Sequence, residues 1–91
     1  MFKRPSKAAV VEALLLYGDE LAPQVRSMLQ EHFLQGVSIR TISDRGPSVY
    51  HVKSLLEFGL VRLGLKKAAQ CHTAFGKKTK RIRNRRVETH D

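Results

Sequence analysis

Residues 36–63 read GVSIRTISDRGPSVYHVKSLLEFGLVRL, and the rest of the chain is arranged around this stretch. Ser38 stands at a helix N-cap position before the apolar pair Ile39 and Ile42. The short helix should end at Gly46, because glycine takes a left-handed conformation without steric cost and the proline after it can begin a helix but not continue one. The stretch therefore predicts a short helix, a tight turn and a second helix.

We predict the second helix over about residues 48–58, with Ser48 as its N-cap. Its apolar stripe recurs at intervals of three and four and consists of Val49, Val52, Leu55, Leu56, Leu60 and Leu63. The residues predicted to face solvent on the other side are Tyr50, Lys53, Ser54 and Glu57. This pattern is typical of a helix-turn-helix, whose second helix enters the major groove of DNA. The turn is one residue shorter than in the usual motif.

The same stretch also fits two packed helices of an ordinary helical domain, so charge has to discriminate between the two interpretations. The chain has 91 residues, 42% of them hydrophobic, and a formal net charge of +9. Residues 1–65 carry 8 basic and 6 acidic side chains (+2), whereas residues 66–91 carry 9 basic and 2 acidic ones (+7). Both acids of the second part, Glu88 and Asp91, follow the last arginine. Residues 66–86 therefore form an uncompensated basic strip that suits a polyanion.

The first helix is predicted over roughly Lys7 to Tyr17, with Ser6 as its N-cap. It is apolar around most of its circumference, which requires either a central position in the bundle or a face covered by a second subunit. Another helix should begin at Pro23 and end near Gln35. After residue 58 two alternatives remain: a kinked helix to about residue 70, or a break at residue 59 followed by a short fifth helix.

These elements predict an all-α protein, a small bundle of four to five helices that contains a helix-turn-helix. Residues 1–70 would form the DNA-binding domain, and residues 71–91 a basic, flexible tail. Seven positive charges in the ten residues KKTKRIRNRR repel one another and offer little to bury, so this tail is expected to be disordered or frayed in free solution.

Catalysis is not predicted. The four histidines are scattered, and Cys71 is the single cysteine, so neither a catalytic cluster nor a metal site is expected and no cofactor is implied. His32 should be half-buried, while His51 flanks the exposed side of its helix. The sequence predicts neither a signal peptide nor a stretch of the roughly 18 to 20 apolar residues that span a bilayer. We therefore expect a soluble, cytoplasmic protein.

Double-stranded DNA is the predicted partner. The residues expected to face bases are Tyr50, Lys53 and Ser54, with His51 beside them. The residues expected to contact the sugar-phosphate backbone are Arg40, Arg45 and Ser48. The tail residues expected to reach phosphates or a minor groove are Lys77, Lys78, Lys80, Arg81, Arg83, Arg85 and Arg86. In a neutral protein the same side chains would be ordinary solvated charges.

The segment VRSMLQEHFLQGVSIRTI, Val25 to Ile42, resembles the helix, glycine and Ser-Arg/Lys segment of the PapB-type regulators of fimbrial adhesin biosynthesis. Tyr50 followed by SLLEFGLVRL is similar to their recognition helix. The resemblance implies an all-helical transcriptional regulator that binds AT-rich DNA, oligomerises along it and controls fimbrial operons of enteric bacteria. The short turn and the basic tail depart from that family, and plasmid KorA-like helix-turn-helix regulators are similar at the same level.

We therefore expect a DNA-binding activator or repressor, homodimeric or of higher order. Two other functions remain open. An arginine-rich tail can fold onto structured RNA, although few exposed aromatic side chains are available for stacking. A protein-interaction adaptor could instead hold a partner helix on the apolar first helix, with its tail on an acidic surface.

Overall fold

Residues 4–82 are the part of the chain that the computed structural model describes, and they are all-helical. The five α-helices are α1 (Lys7–Tyr17), α2 (Pro23–Leu29), α3 (Ile39–Ser43), α4 (Val49–Arg62) and α5 (Ala74–Lys78). A π-helical turn, Gln30–Leu34, continues α2, and short 3₁₀ turns occupy Gly18–Glu20 and Ala68–Gln70. No strand occurs between residues 4 and 82. The predicted small all-α bundle is confirmed.

The predicted helix starts are confirmed by their capping hydrogen bonds. The hydroxyl groups of Ser6, Ser38 and Ser48 each accept a hydrogen bond of 3.1 Å from the backbone amide three residues later. Pro23 is at the first position of α2. Gly46 has a φ of 137°, so the turn between α3 and α4 uses the conformational freedom that glycine alone offers. Local sequence signals therefore place the beginnings of α1, α2, α3 and α4.

Helix α4 is the centre of the fold, because α2, α3 and α5 all pack against it. Its buried residues Val52, Leu56 and Leu60, and Leu63 directly after it, join a core that also contains Val25, Met28, Leu29, Ile42 and Ile82. Two members of the predicted apolar stripe lie outside this core: Val49 is exposed and Leu55 is only half-buried. The first turn of α4 thus projects from the bundle, while the rest of the helix is enclosed.

Helix α4 passes straight through Gly59 and ends at Arg62, so both predictions for the region after residue 58 are wrong. The chain turns away at Gly64, which has a φ of 78°. Gly59 faces α2, where an added Cβ would lie 2.7 Å from Leu29 Cδ1 and 2.9 Å from Val25 Cγ1. Glycine at this position therefore permits two helices to approach closely and does not interrupt the helix.

The prediction of a free tail from Cys71 onward is wrong for residues 71–82. Cys71, Thr73 and Ile82 are buried, and the amide of Ile82 donates to the carbonyl of Arg62 at 2.8 Å. The ring of Phe75 stacks on Phe58 with 4.8 Å between centroids. Helix α5 is thus part of the bundle. The predicted tail residues Arg83, Arg85 and Arg86 lie outside the described residues.

Helix α1 is at the edge of the bundle, which contradicts a central position for it. Val10 and Ala13 are buried, but Val11, Leu15 and Leu16 are exposed, with 83% of Leu15 accessible to solvent. The outward side of α1 therefore carries apolar side chains that no part of residues 4–82 covers. None of the helices between residues 4 and 82 is long and apolar enough to cross a membrane.

Replacing Gly59 with alanine should destabilise the protein by about 1 to 3 kcal/mol, because the new methyl group overpacks the α2–α4 contact, even though alanine favours a helix by up to about 1 kcal/mol. Chemical denaturation followed by circular dichroism measures this change. In a Leu29→Ala background the same substitution should cost less, since the shortened side chain leaves room for the methyl group. A stabilising Gly59→Ala in the wild-type background would contradict the close approach.

Candidate nucleic-acid interface

The exposed residues of α4 are concentrated in its first turn and a half. Tyr50 is 59% exposed, and Val49, His51 and Lys53 are also exposed. We call these four residues the N-terminal surface of α4. Among residues 4–82, no ion pair or hydrogen bond involves the side chain of Lys53. This ammonium group is therefore available to a ligand.

The two arginines predicted to contact phosphates differ in their surroundings. Arg40 is exposed on α3 and follows Ile39, which lines the same pocket as Lys53. Arg45 is also exposed, but its Nη1 donates to both carboxylate oxygens of Glu31, at 2.8 Å to Oε1. Arg40 thus presents a charge that has no ion pair within residues 4–82, whereas the charge of Arg45 is partly neutralised.

Two side chains predicted to face solvent on α4, Ser54 and Glu57, are buried, which corrects the expectation that Ser54 contacts bases. The Ser54 hydroxyl donates to the Tyr50 carbonyl at 2.9 Å. Helix α5 covers this part of α4, so half of the polar stripe read from the sequence is an interface between helices, while Tyr50 and Lys53 remain exposed. Ser48 remains exposed, and its hydroxyl oxygen caps α4.

Glu57 anchors the segment that leads into α5. Its carboxylate accepts hydrogen bonds from the backbone amides of His72 and Thr73, each at 2.9 Å, and from the Thr73 hydroxyl at 2.5 Å. Lys66 Nζ lies 3.0 Å from Oε2, and both side chains are at least nine-tenths buried. Thr73 also caps α5, its hydroxyl oxygen accepting from the amide of Gly76 at 3.0 Å. One buried carboxylate thus joins α4, the connecting loop and α5.

Glu57 remains ionised well into the acid range. Burial alone raises the pKa of its carboxyl, but hydrogen bonds from the Thr73 hydroxyl, the His72 amide, Lys66 and the Thr73 amide outweigh burial and lower the pKa from 4.5 to about 2. The neighbouring thiol of Cys71 responds in the opposite direction, since burial and then the Glu57 charge raise its pKa. The site therefore contains a carboxylate and a neutral thiol side by side.

Docking of α5 fixes a cationic surface beside α4. We call Lys77, Lys78, Lys80 and Arg81, which are all exposed, the α5 cations. Ala74, at the start of α5, donates its amide hydrogen to Tyr50 Oη at 3.4 Å, and the Lys80 carbonyl accepts from Arg62 Nη1 at 3.3 Å. The α5 segment therefore runs beside α4 from its first turn to its last.

The surface formed by the α5 cations has no acidic counterpart in its own segment. Residues 58–82 contain seven basic side chains and no aspartate or glutamate. None of the α5 cations has an ion pair within residues 4–82. The structure places Tyr50 and Lys53 at one end of α4 and Arg81 beside Gly64 at the other, while Arg40 is on α3. The sequence-predicted cations thus lie along the helix and do not form one cluster.

Sequence reasoning missed the role of Glu57, although two signals pointed to it. Glu57 is the last acidic residue before the basic strip, and Thr73 precedes a short helical run in the way that an N-cap does. Neither signal specifies that the two side chains meet, because sixteen residues separate them. Only the docking of α5 brings them together.

Neither known relatives nor a metal-binding cluster identify the site. Comparisons of the chain with protein-family models, curated proteins and solved structures find no match. Within residues 4–82, no group of three or more histidine, cysteine, aspartate or glutamate side chains could hold a metal ion. His32 is half-buried, and its Nδ1 lies 2.8 Å from the Val37 carbonyl. What the interface can bind thus follows from its own exposed side chains and charges.

Glu57 should make the stability of the protein depend on pH. Because its pKa is lower in the folded state, its contribution is complete above about pH 5 and is lost as the pH falls towards 2, by about 3 kcal/mol in total. A Glu57→Gln variant should be less stable than the wild type at pH 7, and the two should converge near pH 2. Denaturant unfolding at a series of pH values measures this difference.

The exposed Glu12 provides the matched control, since Glu12→Gln removes the same charge without breaking a buried network. This variant should follow the wild type across the whole pH range. Parallel pH profiles for the wild type and Glu57→Gln would show that the buried carboxylate does not anchor α5.

Proposed function

We propose that this protein is a transcriptional regulator that recognises specific sites in double-stranded DNA, with α3 and α4 acting as a helix-turn-helix. The observation that carries the proposal is the N-terminal surface of α4. In DNA-binding proteins of this type the first residues of the recognition helix contact the base edges. Here those positions carry an exposed tyrosine and an exposed lysine without an acidic partner in residues 4–82. Lysine donates to guanine O6 or N7, and tyrosine can bond a phosphate or contact a thymine methyl group.

The α5 cations supply the part of the affinity that does not depend on sequence. From Tyr50 to Arg62, α4 is about 18 Å long, and α5 runs beside it over that distance. If all four α5 cations contact phosphates, the dependence of log K on log salt steepens by about 3 to 4 units. Arg40, exposed on α3, adds a further phosphate contact. The α5 cations thus supply general affinity for DNA, and the N-terminal surface of α4 selects the site.

The exposed face of α1 supports a homodimer. Ala8, Val11 and Leu15 recur at intervals of three and four, and with Leu16 they form the side of α1 that turns away from the core. A two-fold axis near Val11 places the small Ala8 of each copy opposite Leu15 of the other, so the face is complementary to itself in size. A dimer presents two recognition helices to two half-sites, as helix-turn-helix regulators do.

The narrower assignment to fimbrial operons and AT-rich sites rests on the resemblance to PapB-type regulators. Under this proposal the protein works on the nucleoid in the bacterial cytoplasm, as an activator or a repressor, and needs no cofactor. The departures in turn length and basic segment leave the general helix-turn-helix function unaffected, because that function depends on the exposed surfaces of α4 and α5.

Selection of bound sequences from a random duplex pool tests the proposal. The wild type should enrich one motif, and Tyr50→Ala or Lys53→Gln should each reduce discrimination by about 1 to 3 kcal/mol per contacted base pair. The control is Arg26→Gln, which removes a cation from α2 whose partner is Asp19. This variant should select the same motif as the wild type.

A triple substitution of Lys77, Lys78 and Lys80 by glutamine should weaken binding to all duplexes alike and reduce the salt slope by about 3 units. Gel retardation over a range of salt concentrations measures both effects. Failure of the wild type to retard random duplex DNA at moderate salt would contradict DNA binding and favour the adaptor. More effective competition by structured RNA than by duplex DNA would favour RNA binding.

The dimer is tested separately by Leu15→Glu, which places a charge in the apolar face of α1, opposite Ala8 of the second copy. The variant should sediment as a monomer at concentrations at which the wild type is a dimer, because a buried unpaired charge costs several kcal/mol. Gln24→Glu adds the same charge on the exposed side of α2 and should leave the dimer intact. A wild-type protein that sediments as a monomer at high concentration would contradict the dimer.

A further inference from the structure

A pocket of about 330 Å³ opens beside Lys53, between the residues before α1, the π-helical turn of α2, the start of α3, α4 and the loop before α5. Its apolar lining consists of Phe33, Ile39, Leu56 and Leu60. This volume is within the range of about 300 to 1,000 Å³ that small-molecule sites occupy in proteins. The pocket is thus large enough for a small ligand and offers it an apolar floor.

The rim of the pocket is positively charged. Arg4, Lys53 and Lys66 line it together with two histidines, and Glu57 is its one acidic residue. The Glu57 carboxylate is already engaged by Lys66, His72 and Thr73. Its charge is therefore compensated within the fold, while Arg4 and Lys53 have no acidic partner within residues 4–82. The uncompensated charge at the mouth of the pocket is positive.

Arg4 is held in position over this pocket. Its guanidinium carbon lies 4.6 Å from the centroid of the Phe33 ring, and its Nη2 donates to the His32 carbonyl at 3.3 Å. Nη1 lies 3.4 Å from His32 Nε2. A guanidinium group has five N–H donors, so hydrogens remain for a further acceptor. A planar, pre-oriented guanidinium matches the two oxygens of a carboxylate.

We propose that this pocket binds a small organic anion that combines a carboxylate with an apolar, preferably aromatic, body. The carboxylate would lie between Arg4 and Lys53, and the body would cover Phe33, Ile39 and Leu56. Binding needs both the carboxylate and the apolar body. An inorganic anion would leave the apolar floor exposed to water, and a neutral apolar compound would leave two cations unpaired.

Such a ligand would also control DNA binding, and this part rests on the proposed function. Lys53 belongs to both the rim of the pocket and the N-terminal surface of α4. A carboxylate that engages the Lys53 ammonium group removes a donor from the bases and adds a negative charge next to the phosphates. Ligand and DNA would therefore oppose each other's binding by the same factor.

Benzoate, benzamide and acetate are the probes that separate the two requirements. Benzamide has the shape of benzoate without its charge, and acetate has the charge without the ring. Titration of the isotope-labelled full chain, followed by its amide and methyl NMR signals, should show saturable benzoate binding with shifts at Phe33, Ile39 and Leu56. Benzamide and acetate should each bind at least about tenfold more weakly.

The variants Arg4→Gln and Lys53→Gln should each weaken benzoate binding by about fivefold or more. Lys78→Gln removes an exposed lysine that does not line the pocket and should bind benzoate as the wild type does. Equal affinities for benzoate and benzamide would overturn the proposal. So would saturable shifts confined to other residues, or no saturation up to about 20 mM benzoate, a generous limit for so small a ligand.

A second measurement, made with the selected DNA site, separates this inference from the proposed function. Benzoate should release the wild type from DNA, whereas Arg4→Gln should bind the same DNA and resist release. Because benzoate binding is measured without DNA, a protein that binds benzoate but no DNA supports the pocket and contradicts the regulator. Release of Arg4→Gln by the same benzoate concentration as the wild type would overturn the coupling.

Discussion

The buried carboxylate of Glu57 is the interaction on which the architecture depends. A charge removed from water is tolerated only when it is paired and hydrogen-bonded, and here Lys66, two backbone amides and the Thr73 hydroxyl provide those partners. All of these partners come from residues 66–73. The loop before α5 can therefore leave α4 only by depriving the Glu57 carboxylate of all these partners, which makes docking of α5 a cooperative part of folding. A short helix with few apolar residues gains its position from a polar anchor.

The same anchor holds the basic segment that follows it in one position. A segment with four cations in the five residues 77–81 would repel itself and sample many conformations if it were free. The apolar contacts of Phe75 and Ile82 hold it against α4 instead, and Glu57 fixes its start. The backbone that carries the positive charges then has a fixed position relative to Tyr50 and Lys53. An interface with a fixed arrangement of cations loses less conformational entropy when it binds a rigid polyanion.

Three surfaces remain outside the core, and each belongs to a different part of the fold. The N-terminal surface of α4 carries polar donors, the α5 cations carry charge, and the outer face of α1 carries apolar side chains together with Lys7 and Glu12. The pocket beside Lys53 connects the first of these surfaces to Arg4, which precedes α1 in the chain. Under the proposed function, one lysine is then shared by DNA and a small anion. Mutual exclusion would need no conformational change, because the two ligands compete for the same ammonium group.

Local chemistry determined much of this protein from its sequence: the serine caps, the proline at the start of α2, the turn at Gly46 and the all-helical class all depend on neighbours within a few residues. What each side of α4 faces was decided only by tertiary structure. Periodicity predicts that Ser54 and Glu57 face solvent and that Gly59 interrupts the helix. In the structure α5 buries Ser54 and Glu57, and the close approach of α2 leaves room only for glycine at position 59. A helical repeat reports which residues share a side, but not which partner covers it. Residues 71–82 likewise lack the apolar pattern of a helix. Their position depends on polar partners distant in sequence, which a local pattern does not report.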